Sequence, residues 1–275
     1  MAALLALVAA LLWGLGGFLG GQASRRAALI PVLAVELLVG TIVIIPLAFL
    51  TAHRFAWVDL LIGGAAGFFG LLGVTFLYRG LRGPMAAVAP VAGVVSAALP
   101  LLWGVGVGER LSAWQIYGVI LGLMSIVLIS DTGRALHRIS LGPLVNGVLA
   151  GAGFGAGYIV LDATDPLTAP WPILGARLLP AFAVCAVAFT AHQPPSAVGP
   201  ARLWSVGAGI STVLASVAFL AAINRGLLST SSVLSCLHPA VTVLLARLFL
   251  RERISPSQAT GLTVAVAAIS MITAG

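Results

Sequence analysis

One stretch of this chain occurs twice, and the duplication limits what the chain can fold into. The first copy runs from Tyr78 to Gly118 and the second from Asn224 to Gly261. Each opens on Arg-Gly-Leu, crosses an apolar segment broken by proline, and closes on Glu-Arg-x-Ser-x-x-Gln-x-x-Gly. Arg79 answers Arg225, while Glu109, Arg110, Ser112, Gln115 and Gly118 answer Glu252, Arg253, Ser255, Gln258 and Gly261. A matched opening and closing with the same hydropathy between them marks a repeated membrane unit.

The composition agrees. Hydrophobic residues make up 60% of the chain and charged residues 8%, with a mean hydropathy of +1.14. A soluble domain carries about 25% charged residues, so the chain reads as an integral, multi-pass protein of the plasma (inner) membrane. Every basic residue is Arg, and the net charge is +7. These arginines stand singly between apolar runs and form no patch. They suit helix ends at lipid headgroups, with the bilayer and not nucleic acid as partner. Cys185 and Cys236 both lie in apolar runs and make neither a disulfide framework nor a metal spacing. The apolar N-terminus lacks a basic leader, and its counterpart in the second half is internal. It is read as a retained membrane helix.

With about 20 apolar residues needed per span, ten helices are expected. They are Ala2–Gly21, Ala27–Leu50, Leu60–Tyr78, Met85–Val107 and Trp114–Ile129, then Leu141–Val160, Trp171–Ala191, Trp204–Ile223, Thr230–Leu250 and Gln258–Ala274. The fold class is thus all-α. Residues 1–130 form one five-helix repeat, 131–140 a connector and 141–275 the second repeat. Because five is odd, tandem units enter the membrane from opposite sides. The repeat is therefore inverted, which places a binding site near the midplane between the halves. Glycines at i, i+4 on helices 1, 3 and 6 let backbones approach closely.

The duplicated unit ending in Gly108–Gly118 resembles the EamA domain of the drug/metabolite transporter superfamily. Trp13-Gly14 is similar to the family's usual Trp-Gly in helix 1, and His238-Pro239 stands where its second repeat commonly has Asn-Pro. The resemblance covers essentially the whole chain. It implies a central cavity lined mainly by helices 1–4 and 6–9, with helices 5 and 10 peripheral. It implies carriage of a small metabolite, often export of an amino acid or related compound, and both termini inside. The arginine count points the other way. Nine arginines fall on connectors opposite the N-terminus and three, Arg54, Arg110 and Arg225, on its own side, which favours an outside N-terminus.

Six residues are candidates for substrate binding or coupling: Glu36, Arg177, His238, Ser235, Trp13 and Tyr158. Glu36 lies inside an apolar run, where a carboxylate costs a few kcal/mol unless paired, hydrated or protonated. It reads as a proton-coupling or cation-binding group, or as a structural partner for an arginine. Arg177 aligns opposite it on helix 7 and suits a substrate carboxylate or a standing pair with Glu36. Ser231, Ser235, His238 and Thr242 share one face of helix 9, and Pro239 loosens the turn beside His238. Trp13, Phe18, Phe154 and Tyr158 offer an aromatic wall, or core packing. Tyr78, Arg79, Asn224 and Arg225 sit at repeat-equivalent helix ends; the two arginines read as helix C-terminal caps and interface anchors first and as gate residues second, and Glu109–Arg110 and Glu252–Arg253 as turn-stabilising charges.

No P-loop, HExxH, GxSxG or cysteine pair occurs, so neither an ATP-driven pump nor an enzyme is expected, and no cofactor. The expected activity is secondary transport by alternating access, coupled to protons through Glu36 or His238, by a monomer or homodimer. The alternative is a gradient-independent uniporter or channel-like facilitator.

Overall fold

The computed structural model describes residues 1–81, 85–129, 141–250 and 254–275, with no description of the side chains at 78–90, 141, 143 and 250. The readings at Arg82, the connector 130–140, Arg251, Glu252 and Arg253, and at the side chains of Tyr78 and Arg79, lie outside the described residues.

The first half contributes α1 (Ala2–Ser24), α2 (Leu29–Thr51), α3 (Trp57–Leu81), α4 (Met85–Gly106) and α5 (Ala113–Ile129). The second contributes α6 (Leu141–Asp162), α7 (Trp171–Thr190), α8 (Arg202–Ile223), α9 (Leu228–Ser235), α10 (His238–Leu250) and α11 (Pro256–Ala274). All described regular structure is helical, as apolar runs require where no water is present to satisfy the backbone. The expected ninth helix is broken. It forms α9 and α10, joined through Cys236 and Leu237, and the two together make one span, Leu228–Phe249. Pro239 explains the break: it has no N–H to offer the carbonyl of Ser235. The ten spans are therefore present, with one discontinuous.

Both termini lie on the same face. Gly275 packs beside Ser112 and Trp114 in the α4–α5 region, and Gly226 packs against Ala2. This terminal face also carries the α2–α3, α6–α7 and α8–α9 turns.

The closing motif of the repeat can be read residue by residue. Ser112 Oγ accepts the Gln115 N–H at 3.2 Å, and the Ser112 N–H donates to Gln115 Oε1 at 2.9 Å. Ser255 and Gln258 repeat the arrangement at the start of α11, at 3.2 and 3.0 Å. Each Ser-x-x-Gln is thus a capping box that starts the fifth helix of its repeat. Gly118 and Gly261 stand where α5 and α11 cross: a Cβ on Gly118 would lie 2.7 Å from Ile272, and one on Gly261 2.6 Å from the Ile129 nitrogen.

Helix packing follows one rule. α1 packs on α8, α8 on α2, α2 on α7, α7 on α3, α3 on α6, α6 on α4, α4 on α9, and α9 with α10 back on α1. Eight spans close a ring in which every neighbour comes from the other half. α5 and α11 pair outside it. The ring is tight because glycines sit at its seams. The Pro172 carbonyl occupies the space a Cβ on Gly63 would need, and the Leu60 carbonyl does the same at Gly175.

Candidate substrate site

The outer faces of the ring identify its inner ones. On α2, Leu38, Ile42, Ile45 and Phe49 are exposed at helical spacing, which turns Glu36 and Gly40 to the opposite, inward side. On α8, Leu203, Ile210 and Leu214 are exposed, which turns Thr212 and Ser216 inward. On α7, Phe182 and Phe189 face out and Arg177 faces in.

These inward residues meet near mid-span. Arg177 Nη2 donates to the Thr212 carbonyl at 2.7 Å and to Ser216 Oγ at 2.9 Å. The Thr212 hydroxyl donates to Glu36 Oε1 at 3.1 Å. The guanidinium packs across Gly40, where a Cβ would lie 3.3 Å from Arg177 Cδ. Glu36 and Arg177 are both partly buried, and no direct ion pair within 4.0 Å forms between them. Thr212 therefore holds an acid and a base apart while bonding to each. Among the described residues, Arg177 Nη1 and Nε, and Glu36 Oε2, make no further hydrogen bond.

Below this cluster the lumen is closed toward the terminal face. Phe219 lies one turn beyond Ser216 in that direction. Its ring centroid is 4.6 Å from Tyr158 on α6 and 5.4 Å from Trp13 on α1, and Trp13 stacks on Tyr158 at 5.5 Å. α6 neighbours neither α1 nor α8 in the ring, so the three rings span the lumen as a floor. Beside them Ser96 Oγ on α4 lies 3.5 Å from the Cys236 thiol, which also interacts with the Tyr158 hydroxyl. Every residue of α9 is buried here. Toward the other face the packing loosens. Gly17 is exposed although it turns toward Thr242, and α10 is only partly covered.

The six expected site residues thus separate. Glu36 and Arg177 come together through Thr212. Trp13 and Tyr158 form the floor beneath them. Ser235 is fully buried, and its hydroxyl donates to the Ala6 carbonyl on α1 at 3.2 Å. Thr242 likewise donates to the Gly14 carbonyl at 3.1 Å. The stripe expected on helix 9 is therefore a seam to α1 at these two positions. His238 begins α10 at the break. Its carbonyl packs against Gly14, and its partly exposed ring makes no hydrogen bond with described residues. Arg225 bonds the Ala221 carbonyl at 3.0 Å, as a helix-end cap does.

Thr212, Ser216 and Phe219 were not singled out in the sequence. The signal was present: Thr212 and Ser216 are i, i+4 on a mainly apolar helix. Two grooves of about 700 and 480 Å³ open elsewhere, one among Phe49, Phe55, Trp57 and Trp171 and the other beside Arg202. Neither includes the Glu36–Arg177 cluster. No group of three potential metal ligands occurs among the described residues.

Inverted five-helix halves, interleaved around a polar site at mid-span, define an integral multi-pass membrane protein built to carry solutes. The family model named EamA-like transporter family matches residues 1–131 and again 142–274. The chain belongs to that family, which makes it a membrane transporter of small solutes. A crystal structure of 21% sequence identity superposes with a TM-score of 0.77 over 99% of this chain and 96% of the other, and it shares the fold. No curated protein sequence matches the chain.

Proposed function

We propose that the protein is a secondary carrier exporting a small metabolite, an amino acid or related compound, across the plasma (inner) membrane by alternating access. The observation that carries this reading is the split acid and base on Thr212, facing the lumen above a closed aromatic floor. A guanidinium suits a substrate carboxylate and the Glu36 carboxylate suits an ammonium. The aromatic rings offer a flat apolar surface to a side chain. With both termini inside, as the family resemblance implies, substrate enters from the terminal face when the floor parts and is released through the opposite face once the floor has closed behind it. Protons are the candidate coupling ion, through Glu36 or His238. The bilayer is the one partner this mechanism needs, since a single chain encloses the site, as a monomer or within a homodimer.

The second reading is a gradient-independent uniporter or channel-like facilitator. The Trp13–Tyr158–Phe219 floor favours a carrier over a continuous pore. The test is flux in liposomes for amino acids, amines, nucleobases and organic acids, with and without a proton gradient. Saturable, stereoselective flux supports the carrier. Unsaturable flux would make it a facilitator, and no flux from folded protein would remove the substrate class.

A further inference from the structure

We infer that Glu36 and Arg177 are a mutually neutralising pair whose task is to let the empty carrier close, so that substrate moves net one way and not by obligatory exchange. This rests on the carrier reading above. A carrier working one way must return with nothing in its site. During that return the site is shut off from water, and an uncompensated charge there is costly. Here one acid and one base face the lumen, and both bond to Thr212 on α8, which links them without direct contact. The empty site therefore sums to zero charge, and Arg177 Nη2 and Glu36 Oε1 are already hydrogen-bonded to α8. A dipolar substrate leaves that sum unchanged, so loaded and empty forms can both be occluded.

The geometry also bears on proton coupling. Protonating Glu36 would leave Arg177 alone in the closed site.

The test needs no substrate. Two cysteines are introduced singly into a Cys185→Ala, Cys236→Ser background. Gly17→Cys reports the open side, since a Cβ there meets only Thr242 Oγ1 at 3.7 Å. Ala9→Cys reports the closed side, because Ala9 is fully buried and packs with Phe219 and Ile223 beneath the floor. The protein is placed in substrate-free liposomes with an impermeant maleimide on both sides of the bilayer. With Glu36 and Arg177 intact, both positions label, Ala9→Cys the more slowly. Glu36→Gln slows labelling at Ala9→Cys by about tenfold or more and leaves Gly17→Cys unchanged. The double variant Glu36→Gln/Arg177→Gln restores labelling at Ala9→Cys, because neutrality is restored even though both side chains are altered. Unslowed labelling in Glu36→Gln overturns the inference. So does failure of the double variant to recover, which would make the effect one of packing. The carrier reading fails separately, by absence of saturable flux in protein whose two sides still label in turn.

Discussion

The carboxylate of Glu109 accepts the backbone N–H of Ser229 at 3.0 Å, across 120 residues of sequence and between the two halves of the molecule. Its other oxygen accepts the N–H of Leu228 at 2.6 Å. Both donors belong to the first turn of α9, where N–H groups have no partner within the helix. A negative charge at that position also favours the helix dipole. The acid of the repeated Glu-Arg pair is therefore an interhelical clasp, where the sequence suggested a local turn charge. Glu109→Ala should lower stability by about 1–3 kcal/mol, and Glu109→Gln by less, since it keeps one acceptor. Thermal unfolding in detergent measures both. An Ala variant as stable as the parent would remove the clasp.

The ring seams should tolerate substitution unequally. Gly63→Ala sets a methyl group against the Pro172 backbone, and Gly175→Ala sets one against the Leu60 backbone. Overpacking of this kind costs about 1–3 kcal/mol. Gly20→Ala meets nothing closer than 3.8 Å and should change stability little. Unfolding midpoints for the three variants check the order.

Two polar links on the terminal face differ in burial and should differ in effect. Arg54 and Asp165 form a salt bridge at 2.9 Å, with side chains 60% and 33% exposed. Breaking such a pair costs about 0–1 kcal/mol. Asp59 is buried; it accepts the Thr168 hydroxyl at 2.6 Å and the Asp165 N–H at 3.3 Å. Asp59→Ala leaves the Asp165 N–H without this acceptor and the Thr168 hydroxyl with only the Asp165 carbonyl, at 2.8 Å, and should cost about 1–3 kcal/mol. Arg54→Ala and Asp59→Ala, compared by thermal unfolding, test the ranking.

Thr212→Val keeps the shape of the side chain and removes the hydroxyl that bonds Glu36. Stability should shift by no more than about 1.5 kcal/mol. The carboxylate is then free to meet Arg177 directly, and saturable flux should fall by about tenfold. Flux at the parent rate would show that the spacing of the two charges is unimportant.

The capping boxes make the smallest expected effect. Ser112→Ala or Ser255→Ala should each cost about 0.5–2 kcal/mol, read as a lowered unfolding midpoint with flux retained.

Much of the architecture was legible in the sequence because span length, hydropathy and duplication are local signals. The ten spans and their inversion follow from them. What was not legible depends on the ring. Glu109 could be seen as a conserved-looking partner of Glu252 within the repeat, yet its ligand lies in another half of the chain, and no spacing rule reaches that far. The break between α9 and α10 had a visible cause in Pro239, but the apolar run continues through it, so the pattern reads as one helix. Aligning the halves set Glu36 opposite Arg177. It did not show that Thr212, a common residue on an apolar helix, keeps them apart. Ser235 shared a face with His238 on paper, and the seam to α1 took it.

The alternation of halves around the ring also bears on how the protein is made. Each ring helix of the first half, α1 to α4, has its ring neighbours in the second, and α5 has its chief partner in α11, so the five helices that enter the membrane first find few of their final packing partners among themselves. They must wait in lipid as loosely associated segments until their partners are inserted. The transport site is complete only when the two sets of helices have interleaved, because Glu36 comes from the first half and Arg177 and Thr212 from the second.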